Sequence, residues 1–176
     1  VIVCGLSMGG YAALALWRKH RQFVVGMILA NTRAGADDEA GKGRRVALAE
    51  RLRAEGTGFL VESPPPLLSA VADADLTARV KAIIAAQSAE GIAAASLGMA
   101  ERPDSSDLLP RLDIPVMVIT STGDTLIPPA ATEETAHGIE GSELRIIEGA
   151  GHLSNLEAPE QFNVLLREFI SQRRAW

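Results

Sequence analysis

The chain predicts an α/β fold: an open parallel sheet flanked by helices and interrupted by an all-helical insertion. Three observations carry this. The apolar runs Val1–Cys4, Val24–Ala30 and Ile114–Thr120 are continuous rather than alternating, as in parallel strands covered on both faces. A helical pattern from Met8 to about Arg21 lies between the first two, so strand, helix and strand form one crossover unit. From Arg33 to Leu112 strand patterns vanish and alanine-rich helical segments take their place.

The first helix is read from Ala12, Ala13, Leu16 and Trp17, which recur at helical spacing. Arg18, Lys19, His20 and Arg21 close its last turn, where cations suit the helix dipole. In the insertion, Asp37 to Ala54 is amphipathic, with Asp37 or Asp38 as N-cap. Ser63-Pro64-Pro65-Pro66 breaks the pattern, because proline lacks an N–H and fixes φ. Helices are expected over Ala74–Ala89 and Glu90–Ala100, followed by a loop at Arg102–Ser106. The α/β pattern then resumes with Ile114–Thr120, whose proline sits at the strand's start, where a missing donor is tolerated. Pro128-Pro129 opens a helix to about His137, Glu143–Ile147 is a short strand, and Pro159–Arg173 is a closing helix. That helix carries Phe162, Leu165, Leu166 and Phe169 on one face. Residues 1–32 and 113–176 are thus expected to form the α/β core, and 33–112 the helical insertion.

Composition limits the partners. The 176 residues are 47% hydrophobic and 22% charged, ordinary for a globular chain with a real core. A net charge of −5 argues against nucleic acid or an anionic membrane surface as a partner, since both attract basic patches. The Arg173-Arg174 pair reads as a solvated helix end. No apolar run approaches the ~20 residues that span a bilayer. The single cysteine, Cys4, excludes an internal disulfide and a multi-cysteine metal site, and is expected to be a small core residue. No cofactor and no metal are expected, and the cytoplasm is the expected compartment.

The chemistry begins at Gly5-Leu6-Ser7-Met8-Gly9, a strand running through a tight turn into a helix. Such a corner exposes a serine hydroxyl. Asp124 follows the Ile114–Thr120 strand, and His152 follows Glu143–Ile147, so all three candidates fall at carboxyl ends of parallel strands. A serine needs a base to remove its proton during attack, and histidine suits the task near neutral pH. The carboxylate fixes the imidazole tautomer and stabilises the imidazolium. The Met8 N–H, at the helix start, can donate to a developing oxyanion. The competing roles are structural: a helix N-cap before Pro128 for Asp124, and a turn histidine for His152. His20 and His137 lie on helix ends and read as solvated, and Trp17 as core.

Gly5–Tyr11, Asp124 with Pro128-Pro129, and the stretch Gly151–Glu160 resemble the α/β-hydrolase superfamily, in its small-molecule esterase and lactonase branch. Ala30-Asn31-Thr32-Arg33-Ala34 and the helical insertion are similar to 3-oxoadipate enol-lactonase-like proteins. The resemblance implies Ser7 as nucleophile, His152 as general base and acid, Asp124 as its orienter, and Met8 N–H as half of an oxyanion hole. It implies a helical cap over 33–112, and a small ester or lactone as substrate. Two departures stand out. Ser121 occupies a position where the family often has glycine, and the strands and His-Gly loop that precede the nucleophile in the family are absent. The chain is therefore expected to be the C-terminal part of the fold, completed by its missing N-terminal half or by another polypeptide. A C–C bond hydrolase or lyase on the same triad is the alternative chemistry. An inactive fragment or binding module without a complete oxyanion hole is the alternative from another class.

Overall fold

The computed structural model describes residues 1–172. Arg173-Arg174, the expected basic end, lies outside them. The described residues form two compact units. One comprises Val1–Ala34, Pro66–Ala72 and the chain from Ser105 on; the other comprises Gly35–Pro65 and Asp73–Asp104. Pro66–Ala72 lies within the helical stretch of the sequence, yet it belongs to the sheet unit.

In the sheet unit, β1 (Ile2–Leu6), β2 (Gly26–Ala30), β3 (Val116–Ser121) and β4 (Glu143–Ile147) form one parallel sheet in that order. β4 has the expected bounds, and the other three strands extend or trim the apolar runs that predict them by a residue or two, as strand ends do. The alternation of side chains across a strand explains why β2 and β3 are apolar throughout. Met27, Leu29, Val116 and Val118 face one core with Ala13, Leu14 and Trp17 of α1 (Met8–His20), and with Leu108, Leu109 and Ala136. Ile28, Ala30, Met117 and Ile119 face another core with Phe162 and Phe169 of the C-terminal helix. Every residue of both strands is buried.

Two expectations about burial are corrected. The first helix buries Gly10, Ala13, Leu14 and Trp17, one position round from the expected stripe, so Ala12 and Leu16 are exposed. Ala13, Leu14 and Trp17 lie three, four and seven residues on from Gly10 and so share one face of the helix with it, which turns Ala12 and Leu16 away from the core. Strand β1 is not covered like its neighbours: Cys4 is exposed rather than in the core. Among the described residues β1 pairs only with β2, so its far edge carries no partner strand.

The helical unit contains α2 (Glu39–Glu55), α3 (Gly58–Glu62), α4 (Ala74–Ala85) and α5 (Ala89–Ala100). Asp38 is the N-cap of α2, accepting from Gly41 N–H at 2.7 Å. Asp37 instead forms ion pairs with Arg45 and Arg102, each at 3.1 Å. Ser88 starts α5 by accepting from Gly91 N–H, which ends α4 earlier than the alanine run suggests. A small core of Ala49, Leu52 and Ala93, bordered by Phe59 and Leu60, joins α2, α3 and α5. No single helix among the described residues is long and apolar enough to cross a membrane. The sheet unit is completed by α6 (Pro129–His137), α7 (Ser154–Glu157) and α8 (Pro159–Ser171).

Candidate active site

Ser7 sits between β1 and α1 with φ 53° and ψ −116°, outside the regions that residues with a Cβ prefer. Its N–H continues the ladder to Ala30 O at 2.9 Å, and its carbonyl accepts from Thr32 Oγ1 at 2.8 Å, so the corner is held from both sides. Serine is a favoured N-cap, yet this side chain makes no capping hydrogen bond. Gly5 is indispensable here, because a Cβ on it would overlap Gly9 O, whereas a Cβ on Gly9 would meet open space. Of the two glycines in the motif, only the first is demanded by sterics. Gly10 is demanded as well, since Thr32 Cγ2 would lie 2.5 Å from its Cβ.

Asp124 follows β3 and is buried. Its two oxygens have different tasks. Oδ1 accepts from Leu126 and Ile127 N–H, both at 2.9 Å, which shapes the turn. Oδ2 lies 2.8 Å from His152 Nδ1 and accepts from Asn31 Nδ2 at 3.0 Å. The N-cap of α6 is Pro128, so Asp124 is not a helix cap. Burial by itself would push this carboxyl up; the hydrogen bonds from His152, Ile127 and Asn31 outweigh it and hold the group below the ordinary carboxylate value. An ionised carboxylate only accepts, so neutral His152 carries its hydrogen on Nδ1 and leaves the Nε2 lone pair free.

His152 comes from beyond β4, three strands from β1. At ~4.8 Å per strand this is about 14 Å. The loop after β4 folds back across that gap. Ser121 Oγ donates to Gly151 O at 2.6 Å, and Ser154 Oγ donates to Asn31 Oδ1 at 2.6 Å. Asn31 ends β2, next to the strand that carries Ser7. At Ser154 the loop has therefore reached across two strand spacings, to the residue that follows β2, and it carries His152 to Asp124 beyond β3. No hydrogen bond joins Ser7 Oγ to His152 among the described residues.

Asn31 is the residue that sequence reasoning missed. It is fully buried with φ 45°, and its amide nitrogen also donates to Ser121 Oγ at 2.6 Å. Its side chain links Ser154, Ser121 and Asp124 into one buried network, with every polar atom paired. A buried asparagine directly after an apolar strand was the available signal. Ser121, which stands where glycine is common, anchors the histidine loop. The Met8 N–H, first in α1, has no intrahelical acceptor and points from the turn that bears Ser7. His20 and His137 are exposed and take no part. Among the described residues no group of three or more His, Cys, Asp or Glu side chains could hold a metal ion.

Comparisons with known proteins agree on one architecture. The profile described as the Alpha/beta hydrolase family matches residues 1–164. Pimeloyl-[acyl-carrier protein] methyl ester esterase of Neisseria meningitidis serogroup A is 29% identical over 96% of this chain and 56% of its own length. 3-Oxoadipate enol-lactonase 2 of Acinetobacter baylyi is 29% identical over 91% of this chain and 60% of its own. A thermophilic esterase from Thermogutta terrifontis superposes with a TM-score of 0.93 at 40% identity, covering 98% of this chain and 65% of that one. The chain thus spans roughly three-fifths of each.

Proposed function

From the premise that the chain belongs to the alpha/beta hydrolase family, we propose that it carries the catalytic triad of a serine hydrolase for small carboxylic esters or lactones. The observation that carries this reading is the buried Asp124–His152 pair at 2.8 Å, set on the sheet edge where Ser7 occupies a strained corner. The names of the esterase and lactonase relatives support the substrate class.

The chemistry follows from the geometry. Ser7 Oγ attacks the carbonyl carbon while His152 Nε2 takes its proton, and Asp124 stabilises the imidazolium. The Met8 N–H donates to the developing oxyanion, an interaction of ~3 kcal/mol in such sites. Collapse breaks the C–O bond; His152 returns the proton to the leaving alkoxide oxygen and an acyl-Ser7 ester remains. Water then attacks that ester with His152 as base, releasing the acid and restoring the serine.

The test is covalent labelling with a fluorophosphonate together with turnover of a short-chain aryl ester. Labelling should fall on Ser7, and Ser7→Ala should lower kcat on the order of 10⁶-fold. Turnover retained in Ser7→Ala sinks the assignment. Hydrolysis of 1,3-diketones in preference to esters redirects it to C–C bond cleavage. A protein that is neither labelled nor active overturns the hydrolase reading in favour of an inactive fragment or binding module.

A further inference from the structure

Pro66–Ala72 is continuous with the helical unit at both ends, yet it is anchored on the sheet unit around His152. Leu153 N–H, directly after the histidine, donates to Leu67 O at 2.8 Å. Ser69 N–H donates to the two carboxylate oxygens of Glu157, at 3.1 and 3.0 Å. Glu157 Oε1 also accepts at 2.7 Å from Gly151 N–H, directly before the histidine. A Cβ on Gly151 would overlap Ser69 N and lie 2.7 Å from Glu157 Oε1, so the two backbones approach as closely as only glycine allows.

We propose that Glu157 is a positioning residue for His152: its carboxylate clasps the Pro66–Ala72 strap to the peptide that precedes the histidine. The inference rests on His152 being the general base of the proposed reaction. The Gly151 peptide is held at both its polar groups, its carbonyl by Ser121 Oγ at 2.6 Å and its amide by Glu157. The buried network fixes the imidazole from the Asp124 side; Glu157 fixes its backbone from the strap side. Contacts of a charged acceptor with backbone N–H groups are about twice as strong as neutral ones, so the clasp is a firm one.

Glu157→Ala and Glu157→Gln test the assignment with two coupled readouts: amide hydrogen exchange at Ser69 and Gly151, and kcat against KM for a small aryl ester. Displacing a catalytic group by ~1 Å costs about a hundredfold, so the alanine variant should lose ~10–100-fold in kcat with KM within about threefold. Exchange should rise at both amides. Glutamine keeps one acceptor oxygen for Gly151 and turns an N–H toward Ser69. It should therefore speed exchange at Ser69 alone and lower kcat by less than about tenfold. That graded pair also carries the test if the alanine variant does not fold. Faster exchange with unchanged kcat, or lower kcat with unchanged exchange, overturns the proposal. If the unmodified protein turns over no ester, the His152 Nδ1–H resonance replaces kcat. Its broadening in Glu157→Ala supports the clasp while the hydrolase reading falls; an unaltered resonance overturns the clasp too.

Discussion

At Ser7 a side chain is held where backbone sterics resist it. A non-glycine residue with φ 53° and ψ −116° costs on the order of 1–3 kcal/mol, and the surrounding hydrogen bonds from Ser7 N–H and to Ser7 O keep it there. The position is therefore worse for stability than for chemistry. Glycine relieves the strain while alanine keeps it, although both remove the hydroxyl. Ser7→Gly should be more stable than Ser7→Ala by about 1 kcal/mol in urea denaturation, and equal midpoints would show that the corner is unstrained. Asn31 is the second non-glycine residue with positive φ, and asparagine tolerates that region because its short polar side chain bonds locally. Here the side chain bonds far along the chain instead, to Ser121, Asp124 and Ser154.

Among the elements, α2 shows how neighbouring acidic residues divide their tasks. Asp38 caps the helix, and Asp37 is turned to Arg45 and Arg102. Burial pushes the Asp37 carboxyl up, but the hydrogen bonds and charges of Arg102 and Arg45 prevail and bring it down to about 2 from 3.8. A carboxyl depressed by folding stabilises the native state above its unfolded value and loses that contribution as pH falls toward its folded one. The contribution, about 2 kcal/mol, should therefore vanish between about pH 4 and pH 2. Asp37→Asn should lower the urea midpoint at pH 7 and flatten its dependence on pH across that window; a variant that tracks the unmodified protein through it refutes the ion-pair account. This division between Asp37 and Asp38 was open in the sequence, because either could cap. Strands and long helices were legible, since a strand covered on both faces leaves an unbroken apolar run, as at Met27–Ala30, and a helix with one buried face leaves a period of 3.6, as at Phe162–Phe169. The short helices α3 and α7 were not, being shorter than the pattern that reveals a helix. Nor was the polar network, whose partners stand 90 residues or more apart, as Asn31 and Ser121 do. Ser7, Asp124 and His152 could be proposed as candidates because each lies in the turn or loop that follows a strand, Ser7 directly after Leu6 and the other two within a few residues of Ser121 and Ile147.

At the scale of the whole molecule, the two units differ in how they are held. In the sheet unit every residue of β2 and β3 is buried, between two separate apolar clusters. The helical unit rests on Ala49, Leu52 and Ala93 with a few partly buried neighbours. Local opening follows such differences in buried apolar contact. Native-state hydrogen exchange should find the amides of α2 and α5 opening at lower free energy than those of β2 and β3. A single opening free energy for all four would mean that the units unfold as one.

The insertion leaves the sheet after Ala34 and rejoins it at Ser105, where Ser105 N–H donates to Ala34 O at 3.1 Å. Its two ends are thus one hydrogen bond apart, and the strands that flank it, β2 and β3, pair side by side from Met27 with Val116 to Ala30 with Ile119. With the ends closed at the base in this way, the entropic cost of a longer intervening segment grows only slowly, by about 0.6 kcal/mol for each doubling of its length. The strap qualifies that freedom. Whatever replaces the helices has to be threaded back through Pro66–Ala72 midway, so inheritance of a new insertion is a two-piece graft around a retained splice. Hydrogen bonds from Leu153 to Leu67 and from Ser69 to Glu157 tie that short piece to the sheet unit, and a graft that omits it forgoes both.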